Sequence, residues 1–144
     1  MHIRPAVKND LPEVGKLWLE LVKETYPNET PSFEMMIQDT LFMMNTHPGY
    51  SMFVAEDGGE IIGFVDAVYS NDAVLGKLCG RARHLYVKPQ YRPKLVGLKL
   101  FKVQEDWGIQ HGAKAAKGNC IDSMVNIYKS FGYKAIETLM YKEL

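Results

Sequence analysis

The stretch "LYVKPQYRPKLVGLKLF" (Leu85–Phe101) decides how this sequence is read. Leu85, Tyr86 and Val87 favour a strand, and Pro89 ends it. Arg92 and Lys94 then gather positive charge around a second break at Pro93. From about Lys94 the apolar residues take helical spacing, which predicts a helix to His111 with a stop at Gly112. Gly97 falls in the first turn of that helix. The first amides of a helix have no partner one turn back and carry the positive end of its dipole. A glycine among them lets a ligand come close to the backbone. With Arg92 and Lys94 beside it, this helix start is expected to hold a phosphate or pyrophosphate.

Working outward, "HIRPAV" reads as a short strand. "DLPEVGKLWLELVKET" reads as a helix, with Asp10 as its cap, Pro12 in the first turn and Glu13 completing a capping box. Leu11, Val14, Leu17, Trp18, Leu21 and Val22 share one face. After the loop "YPNETP", a second helix is expected from Thr30, with Pro31 in its first position and a stripe of Phe33, Met36, Ile37, Leu41 and Met44. Met35, Phe42 and Met43 lie off that stripe, facing a ligand or partner, or simply widening a packed face.

"YSMFVAED" and "EIIGFVDAVYS" flank Asp57-Gly58-Gly59 and predict a β-hairpin. "GRARHLYVKP" is a further strand and "AKAAKGNC" another. A short helix follows, capped by Asp122 or Ser123 and ended at Gly132. "YKAIETLMYKEL" reads as a closing strand. The order β-α-α-β-β-β-α-β-α-β, with no linker or repeat, predicts one domain over residues 1–144: a single mixed, mostly antiparallel α/β (α+β) sheet with helices on both faces.

Composition sets bounds on function. The 144 residues carry 17 basic and 17 acidic side chains, so the chain lacks the basic excess of a nucleic-acid or membrane-surface binder. Cys79 and Cys120 form no CxxC, and His2, His47, His84 and His111 lack metal-ligand spacing, so neither a disulfide framework nor a metal is expected. No apolar run approaches the ~20 residues of a membrane helix. The N-terminal "MHIRPAVKND" has no apolar signal region, and a cytoplasmic protein is expected.

Three pieces in order resemble the GCN5-related N-acetyltransferase (GNAT) family. "IRPAVKNDLPEV" looks like the family's opening strand and helix. "LYVKPQYRPKLVGLKLF" looks like its acyl-CoA motif, with Arg92 at the Arg/Gln position, Gly97 at the last glycine and Leu95 where the first glycine usually stands. "IYKSFGY" looks like its late motif, a tyrosine four residues before a Gly-aromatic pair. The resemblance implies an acyl-CoA N-acyltransferase-like fold and transfer of an acetyl group from acetyl-CoA, as cosubstrate, to a primary amine by direct attack. A GNAT-like module that binds CoA or a protein without catalysis is the alternative.

Carried over by the same resemblance, the backbone of Leu85, Tyr86 and Val87 would pair with the pantetheine arm, as an added strand pairs with a sheet edge. The amides of Lys94, Leu95, Val96, Gly97 and Leu98 would bracket the pyrophosphate, and Asn119 would stand against the cofactor. Pro93 has no N–H to contribute. Tyr128 takes the place of the family's tyrosine, and a phenol that keeps its proton at neutral pH can protonate the leaving thiolate. The general base stays open among His84, Asp66 and Glu56. Lys114 and Lys117 either reach the nucleotide or are plain surface charge. The acceptor amine, on a small molecule or a protein, is not specified, and the resemblance leaves room for a homodimer. Because few residues follow Tyr133, the loop Tyr26–Pro31 and the second helix are expected to shape most of the acceptor site.

Overall fold

The computed structural model describes residues 1–144. Strand β1 (His2–Pro5) leads through a 3-10 turn into α1 (Leu11–Thr25), and α2 (Phe33–Thr46) follows. Strands β2 (Tyr50–Asp57), β3 (Glu60–Asp72) and β4 (Lys77–Val87) form a meander. Helix α3 (Val96–Gln110), strand β5 (Ala115–Gly118) and the short α4 (Val125–Ser130) complete the regular elements. The sheet order is β1-β2-β3-β4-β5, antiparallel throughout except for the parallel β4–β5 pair. This is the mixed, mostly antiparallel sheet the sequence predicts.

The β2–β3 connection is a two-residue turn in which Gly58 and Gly59 both have positive φ, +57° and +81°. Such a turn matches the twist of its flanking strands, which is why the hairpin is legible from two glycines. Side chains alternate across the sheet. Met52, Val54, Phe64 and Tyr86 point to one face and pack on Leu11, Val14 and Leu17 of α1 and Met36 of α2. Phe53, Val65 and Val87 point to the other and pack on Val96 and Leu100 of α3. Each fully buried side chain of this size contributes roughly 1.5–3 kcal/mol, so these two layers fix where the ends of β4 and α3 lie.

Three expectations are corrected. Asp10 does not cap α1. Its carboxylate instead accepts the Val7 amide at 2.8 Å and two Arg4 N–H groups at 2.8 and 2.9 Å, because a charged partner on β1 outcompetes the helix amides. Helix α2 starts at Phe33 rather than Thr30, with the Ser32 hydroxyl accepting from the Met35 amide. Residues 134–144 form no strand. They pair with no strand of the sheet, so their backbone joins no ladder. The segment is instead held by side chains: the Tyr141 hydroxyl donates to Glu29 at 2.6 Å and its ring lies 5.9 Å from that of Tyr26.

Candidate active site

Two neighbouring strands part company at one point. Cys79–Ala82 of β4 pair with Ala115–Gly118 of β5, and there the pairing stops. Strand β4 continues through Arg83 to Val87 with no partner on that side. At the same point β4 carries a bulge: Asp66 pairs with His84 and Ala67 with Ala82, leaving Arg83 unmatched. A bulge bends its strand and sharpens its twist, so β4 diverges from β5 just where their pairing ends.

The direction of the free backbone groups follows from the ladder. The Lys88 amide donates to the Ile62 carbonyl at 2.9 Å. Groups in an antiparallel ladder alternate, so Tyr86 and His84 turn theirs toward β3. Leu85 and Val87 turn theirs toward the gap. Of the three residues expected to offer main-chain groups there, Tyr86 is thus committed to the sheet. Its ring sits in the core, and burial, helped by Glu24, raises its hydroxyl pKa above the ordinary value.

Beyond β4, Pro89–Lys94 form a 3-10 turn and Leu95 adopts a left-handed conformation, φ 59° and ψ 25°. It is the only non-glycine residue of the chain with positive φ. Such a geometry costs an L-residue roughly 1–2 kcal/mol, and glycine would take it freely. The Leu95 amide, expected to face the pyrophosphate, bonds the Arg92 carbonyl at 3.2 Å, because the tight turn folds it inward. The first bond across the junction runs from the Lys99 amide to the Leu95 carbonyl. The amides of Val96, Gly97 and Leu98 therefore open α3 with no carbonyl one turn back inside the helix.

Gly97 supplies a test of fit. A Cβ built there would meet only Val87 Cγ2, at an ordinary 3.7 Å. Packing of the protein thus gives no reason for glycine at a helical position where it costs roughly 0.5–1 kcal/mol against alanine. A group approaching the backbone from outside does. Lys94 is exposed, has no carboxylate partner and stands with Nζ 5.3 Å from the Tyr91 ring centre. The Arg92 side chain behaves differently from expectation: Nε donates to the Val87 carbonyl at 2.9 Å and Nη2 to Glu24 at 2.7 Å, with the guanidinium over the Tyr86 ring. It fastens the loop to the end of β4 rather than standing free.

Tyr128, on α4, packs edge-on against Phe101 and Tyr133. A Cβ built on Gly118 would lie 3.4 Å from the Tyr128 hydroxyl, so the phenol lies over the last residue of β5, at the mouth of the gap. Burial, with a smaller contribution from Cys120, pushes its pKa up to about 12, and no protein group bonds its hydroxyl. Asn119 follows immediately and is exposed. Lys117 pairs with Asp72 at 2.9 Å and Lys114 remains exposed.

One cluster was not legible as a unit. Asp66, 1% exposed, accepts from the Tyr50 hydroxyl at 2.8 Å and lies 2.8 Å from Nδ1 of His84. Arg83 joins it, with Nη1 3.9 Å from Asp66 and Nη2 donating to Asp39 of α2 at 2.6 Å. Glu56 lies apart, beside β1, paired with Arg4.

A family profile described as an acetyltransferase (GNAT) domain matches residues 48–135, more than half of the chain. The chain belongs to this family and is an N-acetyltransferase. No curated protein matches its sequence. Solved structures do match its fold. Glucosamine-6-phosphate N-acetyltransferase from Arabidopsis thaliana superposes with a TM-score of 0.78 at 16% identity, covering 99% of this chain and 97% of its own. An aminoglycoside antibiotic 6'-N-acetyltransferase from Acinetobacter haemolyticus gives 0.79 at 19%, covering 100% and 98%. An aminoglycoside N-acetyltransferase solved in complex with CoA gives 0.79 at 19%, covering 99% and 93%. At these identities the likeness is one of fold. No helix of the structure is long and apolar enough to cross a membrane.

Proposed function

We propose that the protein transfers the acetyl group of acetyl-CoA to a primary amine by direct attack. The observation that carries this reading is the bare length of β4 beside a helix start whose Gly97 leaves room for a ligand. The pyrophosphate meets the amides of Val96, Gly97 and Leu98, with Lys94 alongside. The pantetheine amides pair with the outward groups of Leu85 and with the Val87 amide, whose carbonyl already accepts from Arg92, and Asn119 stands at the mouth of the gap. In the transfer, the amine lone pair forms the C–N bond, the C–S bond breaks, and a backbone amide of β4 supports the oxyanion. Tyr128 gives its proton to the departing sulfur, a role suited to a phenol that stays protonated across the neutral range.

The acceptor amine, on a small molecule or a protein, enters from the face of α2 and the loop Tyr26–Pro31. Tyr141 contacts that loop, so the C-terminal segment borders the same entrance. Membership of nucleic-acid or membrane complexes is not part of this reading, and a homodimer is compatible with it. Two cysteines outside any disulfide suit the reducing cytoplasm.

The test has two stages. Acetyl-CoA should raise the melting temperature, and thiol release with a panel of amines should then reveal turnover. A thermal shift without release from any amine would favour a CoA-binding module that does not catalyse. No shift and no release would end the proposal.

A further inference from the structure

An alkylammonium has a pKa near ~10.4, so it must lose a proton before its nitrogen can attack. Three groups could take that proton: Glu56, Asp66 and His84. Glu56 is tied to Arg4 beside β1, at the other side of the sheet. Asp66 is closed off from solvent, with one oxygen toward Tyr50 and the other toward His84. His84 keeps 28% of its side chain exposed and lies two residues past Ala82, the last residue of β4 that pairs with β5. It therefore flanks the length of β4 that offers its backbone to the thioester.

We propose that His84 accepts the proton of the acceptor amine, held for that task by Asp66, which Tyr50 orients in turn. The inference rests on the acetyl-transfer reading above and assigns that reaction its base. A carboxylate can only accept, so the 2.8 Å contact to Asp66 places the proton of neutral His84 on Nδ1. Nε2 then carries the free lone pair. As the C–N bond forms and the C–S bond breaks, the proton leaves nitrogen for Nε2. The resulting imidazolium faces the Asp66 carboxylate, which stabilises it.

The bulge is what makes the arrangement. By omitting a partner for Arg83, it brings His84 into register with Asp66 and puts both β4 side chains on the α1–α2 face. The charged and titratable groups around His84 are Asp66 from β3, Tyr50 from β2, Arg83 from β4 itself and, through Arg83, Asp39 from α2. Arg83 opposes a second positive charge, and Asp39 and Asp66 offset it.

The experiment is a pH profile of kcat/KM at saturating acetyl-CoA. The wild-type rate should rise with pH along an ascending limb, the mark of a base that must lose its proton before it can act. The limb should stay in place when an acceptor amine of high pKa is replaced by one of low pKa. A limb that moves with the amine overturns the proposal without any variant. His84→Gln should lower the rate at pH 7 by about 100-fold or more and remove the limb, while acetyl-CoA still raises the melting temperature. Asp66→Asn should lower kcat while acetyl-CoA still raises the melting temperature, because an amide can donate to Nδ1 and so no longer fixes the proton there. An unchanged limb in His84→Gln sinks this assignment alone. A wild type that releases no thiol with any amine sinks the acetyl-transfer reading, and this one with it.

Discussion

Arg92 Nε donates to the Val87 carbonyl at 2.9 Å, tying the loop that begins α3 to the last residue of β4. The loop and the strand are thereby held in one register, and the proposed function uses both to seat one long cosubstrate. The partner Glu24 is half exposed, and an ion pair of that kind contributes little. Arg92→Ala should raise the KM for acetyl-CoA by on the order of tenfold, the size of one charge-assisted hydrogen bond. The kcat should change much less. Arg92→Lys should not restore the KM, because a single ammonium cannot serve both partners. Equal effects on kcat and KM would contradict the positioning part assigned to Arg92.

Gly97 offers a case in which stability and binding should move in opposite directions. The protein has room for a methyl group there, and alanine in a helix is favoured by roughly 0.5–1 kcal/mol. Gly97→Ala should therefore raise the melting temperature of the free protein and weaken acetyl-CoA binding, measured by calorimetry. Tighter or unchanged binding would remove the reason given for glycine at this position.

Leu95 stores strain in its left-handed backbone. Leu95→Gly should stabilise the protein by about 0.5–1 kcal/mol, the relief of strain less the entropy glycine adds to the unfolded chain. Leu95→Val should destabilise it by about 1 kcal/mol or more, since β-branching suits positive φ least. Denaturant melts of the three proteins check the order Gly, Leu, Val.

The Tyr128 hydroxyl makes no hydrogen bond within the protein, so Tyr128→Phe should change stability by less than about 1 kcal/mol. Its kcat should fall by about 100-fold or more with little change in acetyl-CoA affinity. Because the phenol titrates at about 12, the wild-type rate should show no descending limb from this group below that range.

Asp10 contributes to acid sensitivity. Its bonds with Arg4 chiefly, and the Val7 amide, hold its pKa below the ordinary carboxylate value, against the opposing effect of burial. A depressed pKa means stability that is fully present above the unfolded value of about 3.9 and lost as pH falls through the folded one. Asp10→Asn should thus be less stable than wild type at pH 7, by roughly 2–4 kcal/mol for a broken, largely buried pair. The difference should shrink as the pH drops below about 4. Urea melts at a series of pH values measure it.

How much of this was legible depended on distance along the chain. The turn proposed to bind phosphate is contiguous, so proline breaks, cations and Gly97 mark it within a few residues. The β2–β3 hairpin likewise shows in its two glycines. Leu95 read as a departure from the family pattern, yet the backbone there adopts the conformation a glycine would take, and the departure is absorbed as strain. The pairing of His84 with Asp66 spans 18 residues and depends on a bulge at Arg83, which no local pattern marks. The closing strand failed for a related reason. Apolar residues such as Ile136 and Met140 have strand-like character, but a strand exists only where another offers it an edge. Asp10 was misassigned because Arg4, six residues earlier, folds back onto it.

The end of β5 at Gly118, five residues short of where β4 stops, has a cost as well as a use. An exposed run of main-chain donors and acceptors accepts any extended chain, including a neighbouring molecule's. In the proposed function, acetyl-CoA fills that slot and acts as a substitute strand. The protein is therefore expected to stay monodisperse when loaded and to self-associate when emptied, so that the cosubstrate supply governs its solubility as well as its turnover.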